Sequence, residues 1–219
     1  MVVTIDGPSG AGKSTVSKAL AQSLGFAFLD TGALYRGVAL AASQAGLDVD
    51  DEARVASWLA GLDLTALPRD GRFLVLLAGR DVEPLIRNER IAGLASRLSG
   101  QKAVRAHLLG LQRRAGAGGD LVAEGRDMGS VVFPQARAKF FLSASPTERA
   151  LRRLLELKPA QPELTLEAVL ADMASRDRRD AVRDLSPLAP AADALVVDTT
   201  ELSQAQVIEL LLEKVRGLL

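Results

Sequence analysis

The stretch Val2-Val3-Thr4-Ile5-Asp6-Gly7-Pro8-Ser9-Gly10-Ala11-Gly12-Lys13-Ser14-Thr15 decides the fold. Its apolar start reads as a buried strand. Gly7 to Ser14 fits the spacing glycine, four residues, Gly-Lys-Ser/Thr, and Lys13 to Leu24 follows with helical periodicity. Glycines are needed here because the backbone must curl with unusual dihedrals and come close to phosphate oxygens. Successive N–H groups and the helix start then point at one anion. Lys13 reaches the β- and γ-phosphates as a point charge, and the Ser14 hydroxyl is placed for Mg²⁺. The motif predicts a nucleoside-triphosphate site, but by itself it does not separate a kinase from an ATPase or a GTPase switch.

Outward from this stretch, short apolar runs alternate with helical segments. Val2–Ile5, Phe26–Leu29, 121–123, Phe140–Leu142 and Leu195–Val197 read as five strands, with helices at Lys13–Leu24 and Gly32–Ala45 and between or after the later runs. This is the pattern of a parallel sheet covered on both faces. Ser145-Pro146-Thr147-Glu148 offers an N-cap with proline at the first helical position, and Ser203-Gln204-Ala205-Gln206 a capping box. Leu62 to Arg97 breaks the alternation. Asp63–Leu67 and Arg72–Leu77 look like strands joined across Pro68-Arg69-Asp70-Gly71, and Pro84 to Leu98 reads as helix, so a small α+β insertion is expected. Loops are expected at Gly116–Gly119 and at Lys158–Pro162.

The 27 basic and 27 acidic residues cancel, so the overall charge indicates neither a nucleic-acid-coating protein nor an acidic tail. A hydrophobic fraction of 48% and a mean hydropathy of +0.14 predict a folded chain. The absence of cysteine excludes a disulfide, a thiol nucleophile and a cysteine-ligated metal. No basic leader precedes an apolar stretch at the start. No charge-free run is longer than Gly37 to Leu47, which falls short of the ~20 residues of a membrane span. The expectation is a soluble, cytoplasmic monomer without a membrane or nucleic-acid partner.

Three further clusters compete with bland alternatives. Asp30-Thr31-Gly32-Ala33-Leu34-Tyr35-Arg36 puts a hydroxyl and an arginine at a strand-to-helix corner where such sheets bind ligands, or else is an ordinary helix cap with a surface arginine. Glu124-Gly125-Arg126-Asp127 ends another strand. An aspartate accepting from an amino group beside an arginine donating to ring acceptors suits cytosine and disfavours uracil by roughly 1–3 kcal/mol; an internal Arg126–Asp127 salt bridge is the rival. Arg176, Arg179, Asp180 and Arg183 share one face if their helix continues, which suits phosphates or a solvated face of ion pairs. The guanine-reading Asn/Thr-Lys-x-Asp pattern is absent. His107 and Trp58 read as structural, and Tyr35 stays undecided.

Taken together, IDGPSGAGKST (5–15), LDTGALYR (29–36), EGRDMGSVVFP (124–134), SPTERALRR (145–153) and RDRRDAVRDLSPL (176–188) with AADALVVDTT (191–200) resemble the bacterial cytidylate kinases over essentially the whole chain. The resemblance implies a P-loop NTPase fold with a five-stranded parallel sheet, a single domain over 1–219, a nucleoside-monophosphate-binding insertion at about 62–97 and a lid at about 149–163 that includes Arg149, Arg152 and Arg153. It implies transfer of the ATP γ-phosphoryl group to CMP or dCMP. ATP would be held by Gly7, Pro8, Ser9, Gly10, Ala11, Gly12, Lys13, Ser14 and Thr15 with Arg152, and Mg²⁺ by Ser14 with Glu124 through water. The acceptor would meet Thr31, Tyr35, Arg36, Ser96, Arg105, Arg126, Asp127, Asp180 and Arg183. Lys13, Arg126, Arg176 and Arg183 would carry catalysis, with Arg176 bridging donor and acceptor phosphates. The alternatives are a P-loop kinase for another small molecule and a nucleotide-binding regulator.

Overall fold

The computed structural model describes residues 1–181 and 188–219. Its first elements are β1 (Val2–Asp6), α1 (Lys13–Leu24), β2 (Ala27–Asp30), α2 (Thr31–Gln44) and α3 (Glu52–Leu59). A hairpin of β3 (Leu64–Arg69) and β4 (Arg72–Leu77), the short β5 (Arg80–Asp81), α4 (Glu89–Leu98) and α5 (Lys102–Ala117) come next. β6 (Leu121–Glu124) leads to one π-helical turn at Met128–Val132. After it come β7 (Ala138–Ser143), α6 (Pro146–Leu157), α7 (Leu166–Ala181), β8 (Leu195–Asp198) and α8 (Gln204–Arg216).

Five strands are parallel, as the alternation predicts, and lie in the order β2-β6-β1-β7-β8. Because β1 is central, with β6 on one side and β7 on the other, the chain diverges at its carboxyl end and leaves a crevice there. Period-two alternation sorts the strand residues between two cores. Val3, Ile5, Val122, Phe140 and Leu142 pack with Val16 and Leu20 of α1 and Leu211 of α8. Leu29, Leu121 and Ala123 turn to the other face, under Leu34 and Val38 of α2, Leu98 of α4 and Leu108 of α5. Each fully buried aliphatic side chain contributes about 1.5–3 kcal/mol, and burial on both faces explains the unbroken apolar runs.

The inserted strands extend this sheet. β4 joins β2 in parallel through Phe28 and Arg72, and β3 lies antiparallel at the edge. Pro68, expected in the turn, stands in β3 opposite Phe73, because an edge strand tolerates a missing N–H. Asp70 (φ 49°) and Gly71 (φ 74°) alone make the turn, as the primed hairpin turns require. The helix expected from Pro84 starts at Glu89, where the Asn88 side chain accepts from the Ile91 N–H and sets the cap. α5 runs through Gly116 to Ala117. The caps at Ser145 and Ser203 form where their sequences place them. α6 and α7 share a small separate core of Ala150, Val169 and Met173.

Candidate active site

At Gly7 (φ 144°) a Cβ would stand 2.1 Å from the Leu142 carbonyl oxygen, so only glycine lets the chain leave β1 this close to β7. Gly12 (φ 83°) begins α1 with no side-chain cap, which leaves the first amides of the helix for an anion. Lys13 is buried, and its Nζ donates to the Pro8 carbonyl at 2.7 Å. Burial, and then the nearby Arg126, lower its pKa to about 7. The Ser14 hydroxyl donates to Glu124 Oε1 at 2.7 Å, while Glu124 Oε2 is buried without a hydrogen-bond partner. Burial, then Asp30, push the Glu124 carboxyl up.

Asp6, which no motif singled out, ends β1 beneath this loop. Its carboxylate accepts from the N–H groups of Met128 and Gly129, both at 2.8 Å, and ties down the π-turn that follows Arg126 and Asp127. Burial raises its pKa to about 6.

A cavity of about 630 Å³ opens over the loop, walled on the donor side by Ser9, Gly10, Gly12, Lys13, Ser14 and Thr15. Gly7, Pro8 and Ala11 are not among its lining residues. Thr31, Tyr35, Arg36, Ser96, Arg105, Arg126, Asp127, Arg152, Arg176 and Asp180 also line it, so folding gathers the dispersed candidates around one space. Thr31 is the first residue of α2, and its hydroxyl donates to the Glu124 carbonyl at 2.7 Å. The cap is Asp30, which accepts from Ala33 N–H at 3.0 Å and is paired with Arg36 at 2.9 Å and Arg87 at 3.0 Å. Burial pushes the Asp30 carboxyl up, but Arg36 and Arg87 outweigh it and hold it below the usual range. Arg87 lines the cavity too; it sits in irregular chain where no periodicity marks it.

The structure divides Arg126 from Asp127, because successive residues leaving a strand point to opposite sides. Arg126 donates to the Gly7 carbonyl at 2.8 Å and pairs with Asp180 at 3.2 Å, so it belongs to the phosphate loop. Asp127, 3% exposed, pairs with Arg105, which also donates to the Ser99 carbonyl at 3.1 Å and stands 5.9 Å from the centre of the Tyr35 ring. The carboxylate-guanidinium edge expected of Arg126 with Asp127 is therefore made by Arg105 with Asp127. Ser96 Oγ is buried without a hydrogen-bond partner.

Arg176 pairs with Glu89 at 2.8 Å and Asp172 at 2.9 Å, and Arg153 pairs with Glu89 and, at 2.6 Å, Glu156. Arg152 donates to the Thr199 carbonyl at 2.7 Å and to Glu148 at 2.8 Å. Arg149 is buried against Asp177 at 2.7 Å and donates to the Ser9 carbonyl at 3.1 Å. Of the expected arginine face on α7, Arg176 and Asp180 line the cavity, whereas Arg179 is exposed and donates to Ser175 at 2.9 Å. Arg183 lies outside the described residues. Trp58 packs on the core, and His107 is half-buried away from the cavity.

A glycine-rich phosphate loop at the carboxyl edge of a parallel sheet, facing a cavity walled by arginines, defines a P-loop phosphotransferase. The family model for cytidylate kinase matches residues 3–217. This chain belongs to the cytidylate kinase family. It is 49% identical over 212 residues to the cytidylate kinase of Citrifermentans bemidjiense, covering 96% of this chain and 91% of that one. It is 46% identical over 209 residues to cytidylate kinase 1 of Haemophilus influenzae, covering 95% and 90%. Among solved structures, shikimate kinase from Bacteroides thetaiotaomicron shares the fold with a TM-score of 0.50 at 14% identity, covering 100% of this chain and 97% of that one.

Proposed function

We propose that this chain transfers the γ-phosphoryl group of ATP to CMP or dCMP, giving ADP and CDP or dCDP. The observation that carries the choice of acceptor is the Asp127–Arg105 edge in the cavity. The carboxylate accepts from the exocyclic amino group of cytosine and the guanidinium donates to its ring acceptors; uracil would turn a carbonyl toward the carboxylate. The relatives' names support the same acceptor.

The reaction passes through a loose transition state that needs positioning and charge neutralisation more than covalent help. Lys13 and the amides of the loop hold the triphosphate. Thr31, Tyr35, Arg36, Ser96 and Asp180 hold the monophosphate nucleoside, Arg152 the ATP, and Arg126 and Arg176 meet the transferred group. No general base is required, because the acceptor phosphate is already anionic at pH 7. The unpartnered, buried Glu124 Oε2 beside the Ser14 hydroxyl fits a hard, oxygen-seeking cation, so Ser14 and Glu124 would hold Mg²⁺. When bound, that ion neutralises charge on the phosphates. Among the described residues no cluster of three acids or histidines could hold a metal by itself, so the phosphates would complete its ligand set.

A cytoplasmic monomer completes the proposal. The test is ADP release from MgATP with CMP, dCMP, UMP, AMP, GMP or shikimate, with the phosphorylated product identified. Turnover confined to the cytosine nucleotides is expected; turnover with AMP or shikimate instead, or with no acceptor, contradicts it.

A further inference from the structure

Glu89 lies in the first turn of α4, outside every motif, and its carboxylate takes two guanidiniums at once. Oε1 is paired with Arg153 of α6, and Oε2 accepts from Arg176 of α7 at 2.8 Å. Both arginines line the cavity that contains Lys13 and Ser14. Each has another acid on its own helix, Glu156 for Arg153 and Asp172 for Arg176, so Glu89 is the group that joins them across elements. α4 also gives Ala92, Ala95 and Ser96 to the cavity. These stand three, six and seven residues beyond Glu89, so one face of the helix carries both the carboxylate and part of the acceptor wall. Beside the junction a second cavity, of about 110 Å³ and lined by Glu89, Arg153 and Arg176 among others, leaves these side chains room to change partners.

We propose that Glu89 is a positioning residue that holds Arg153 and Arg176 off the γ-phosphate until an acceptor phosphate enters, and so suppresses transfer to water. This rests on the proposed transfer from ATP to CMP. Guanidiniums on the transferred group stabilise its transition state whether the attacking oxygen belongs to a nucleotide or to water. In the side reaction the water oxygen bonds to the γ-phosphorus, the bond to the β–γ bridging oxygen breaks, ADP leaves, and the water protons pass to phosphate and solvent. A carboxylate competing for both cations lowers their share on the triphosphate. An acceptor monophosphate brings about 1.5 to 2 further negative charges into the same cavity and tips the arginines toward the phosphates.

Wild type, Glu89→Gln and Glu89→Asp are compared for ADP release from MgATP alone and with CMP. Gln keeps the shape and removes the charge, while Asp keeps the charge. Acceptor-free release should rise about tenfold or more in E89Q, a small part of what a freed arginine supplies to phosphoryl transfer, with a lowered KM for ATP. E89D should stay close to wild type. Unchanged acceptor-free release in E89Q, with only the CMP-dependent rate lowered, overturns the proposal and leaves Glu89 a structural tie. Wild type without CMP-dependent release overturns the transfer to CMP as well, so the two failures are distinct. Should E89Q fail to fold, ¹⁵N-arginine spectra of the wild type decide. The Arg153 and Arg176 guanidinium signals should stay near their ligand-free positions with a non-hydrolysable ATP analogue and shift when CMP is added; a full shift with the analogue alone overturns the proposal.

Discussion

Asp127 and Arg105 meet across 22 residues of chain, and in the function proposed above that pair is what selects the base. Replacing Asp127 by Ala should lower the ratio of kcat/KM for CMP over UMP by roughly 1–3 kcal/mol, about 5- to 150-fold, in steady-state assays of both nucleotides. An unchanged ratio would assign Asp127 to a structural ion pair. Lys13 gives a second prediction at this scale. Its pKa is about 7 in the fold against 10.5 ordinarily, so between these values the folded chain binds fewer protons than the unfolded one. Through this group stability therefore rises as pH climbs from about 7 to 10.5. A triphosphate restores the charge, so ATP binding at pH 8 should take up protons from the buffer, up to one of them onto Lys13, seen by calorimetry in buffers of different ionisation heat. Lys13→Arg, already charged, should take up none. Motif spacing makes Lys13, Ser14 and Arg126 visible. It misses Asp6, Asp30, Arg87 and Glu89, because a lone acid or arginine becomes significant only through partners brought in from distant chain.

At the scale of elements, sequence is most informative where one local device decides an outcome. Ser145 accepts from the Glu148 N–H at 3.2 Å with Pro146 behind it, and Ser145→Ala should cost about 0.5–2 kcal/mol in urea denaturation. A Cβ added at Gly71 would meet nothing within 4 Å, so Gly71→Ala incurs only the backbone penalty of its positive φ, about 1–2 kcal/mol in the same denaturation. A neutral result would show that the hairpin turn relaxes. The start of α4 is hidden in the sequence because Pro84 resembles a helix opener, whereas the deciding group is the Asn88 side chain. The extra strands of the insertion are legible as strands, but their attachment to β2 is not, since it rests on a single pair of facing residues, Phe28 and Arg72.

Over the whole molecule, two large cores fix the sheet with helices that include α1, α2, α4, α5 and α8, while α6 and α7 share only a small core and reach the rest largely through ion pairs and hydrogen bonds, such as Arg153 and Arg176 with Glu89, Asp180 with Arg126 and Arg152 with Thr199. Elements with few buried apolar groups open at low free-energy cost, which supports the proposal that the lid expected at about 149–163 closes with the insertion over bound nucleotides. Small-angle scattering should show a smaller radius of gyration with both nucleotides bound, and equal curves would contradict closure. No described helix is long and apolar enough to cross a membrane. The parallel sheet and its phosphate loop are readable from strand–loop–helix order alone; the convergence of α4, α5, α6 and α7 on one cavity is not, because it depends on tertiary packing. The most direct measurement of the central claim is a competition with equimolar CMP and UMP, limiting ATP and quantified diphosphates. The account predicts CDP in excess of UDP by about fivefold or more, from the discrimination of a paired carboxylate edge; equal amounts of the two, or a product from neither, would contradict it.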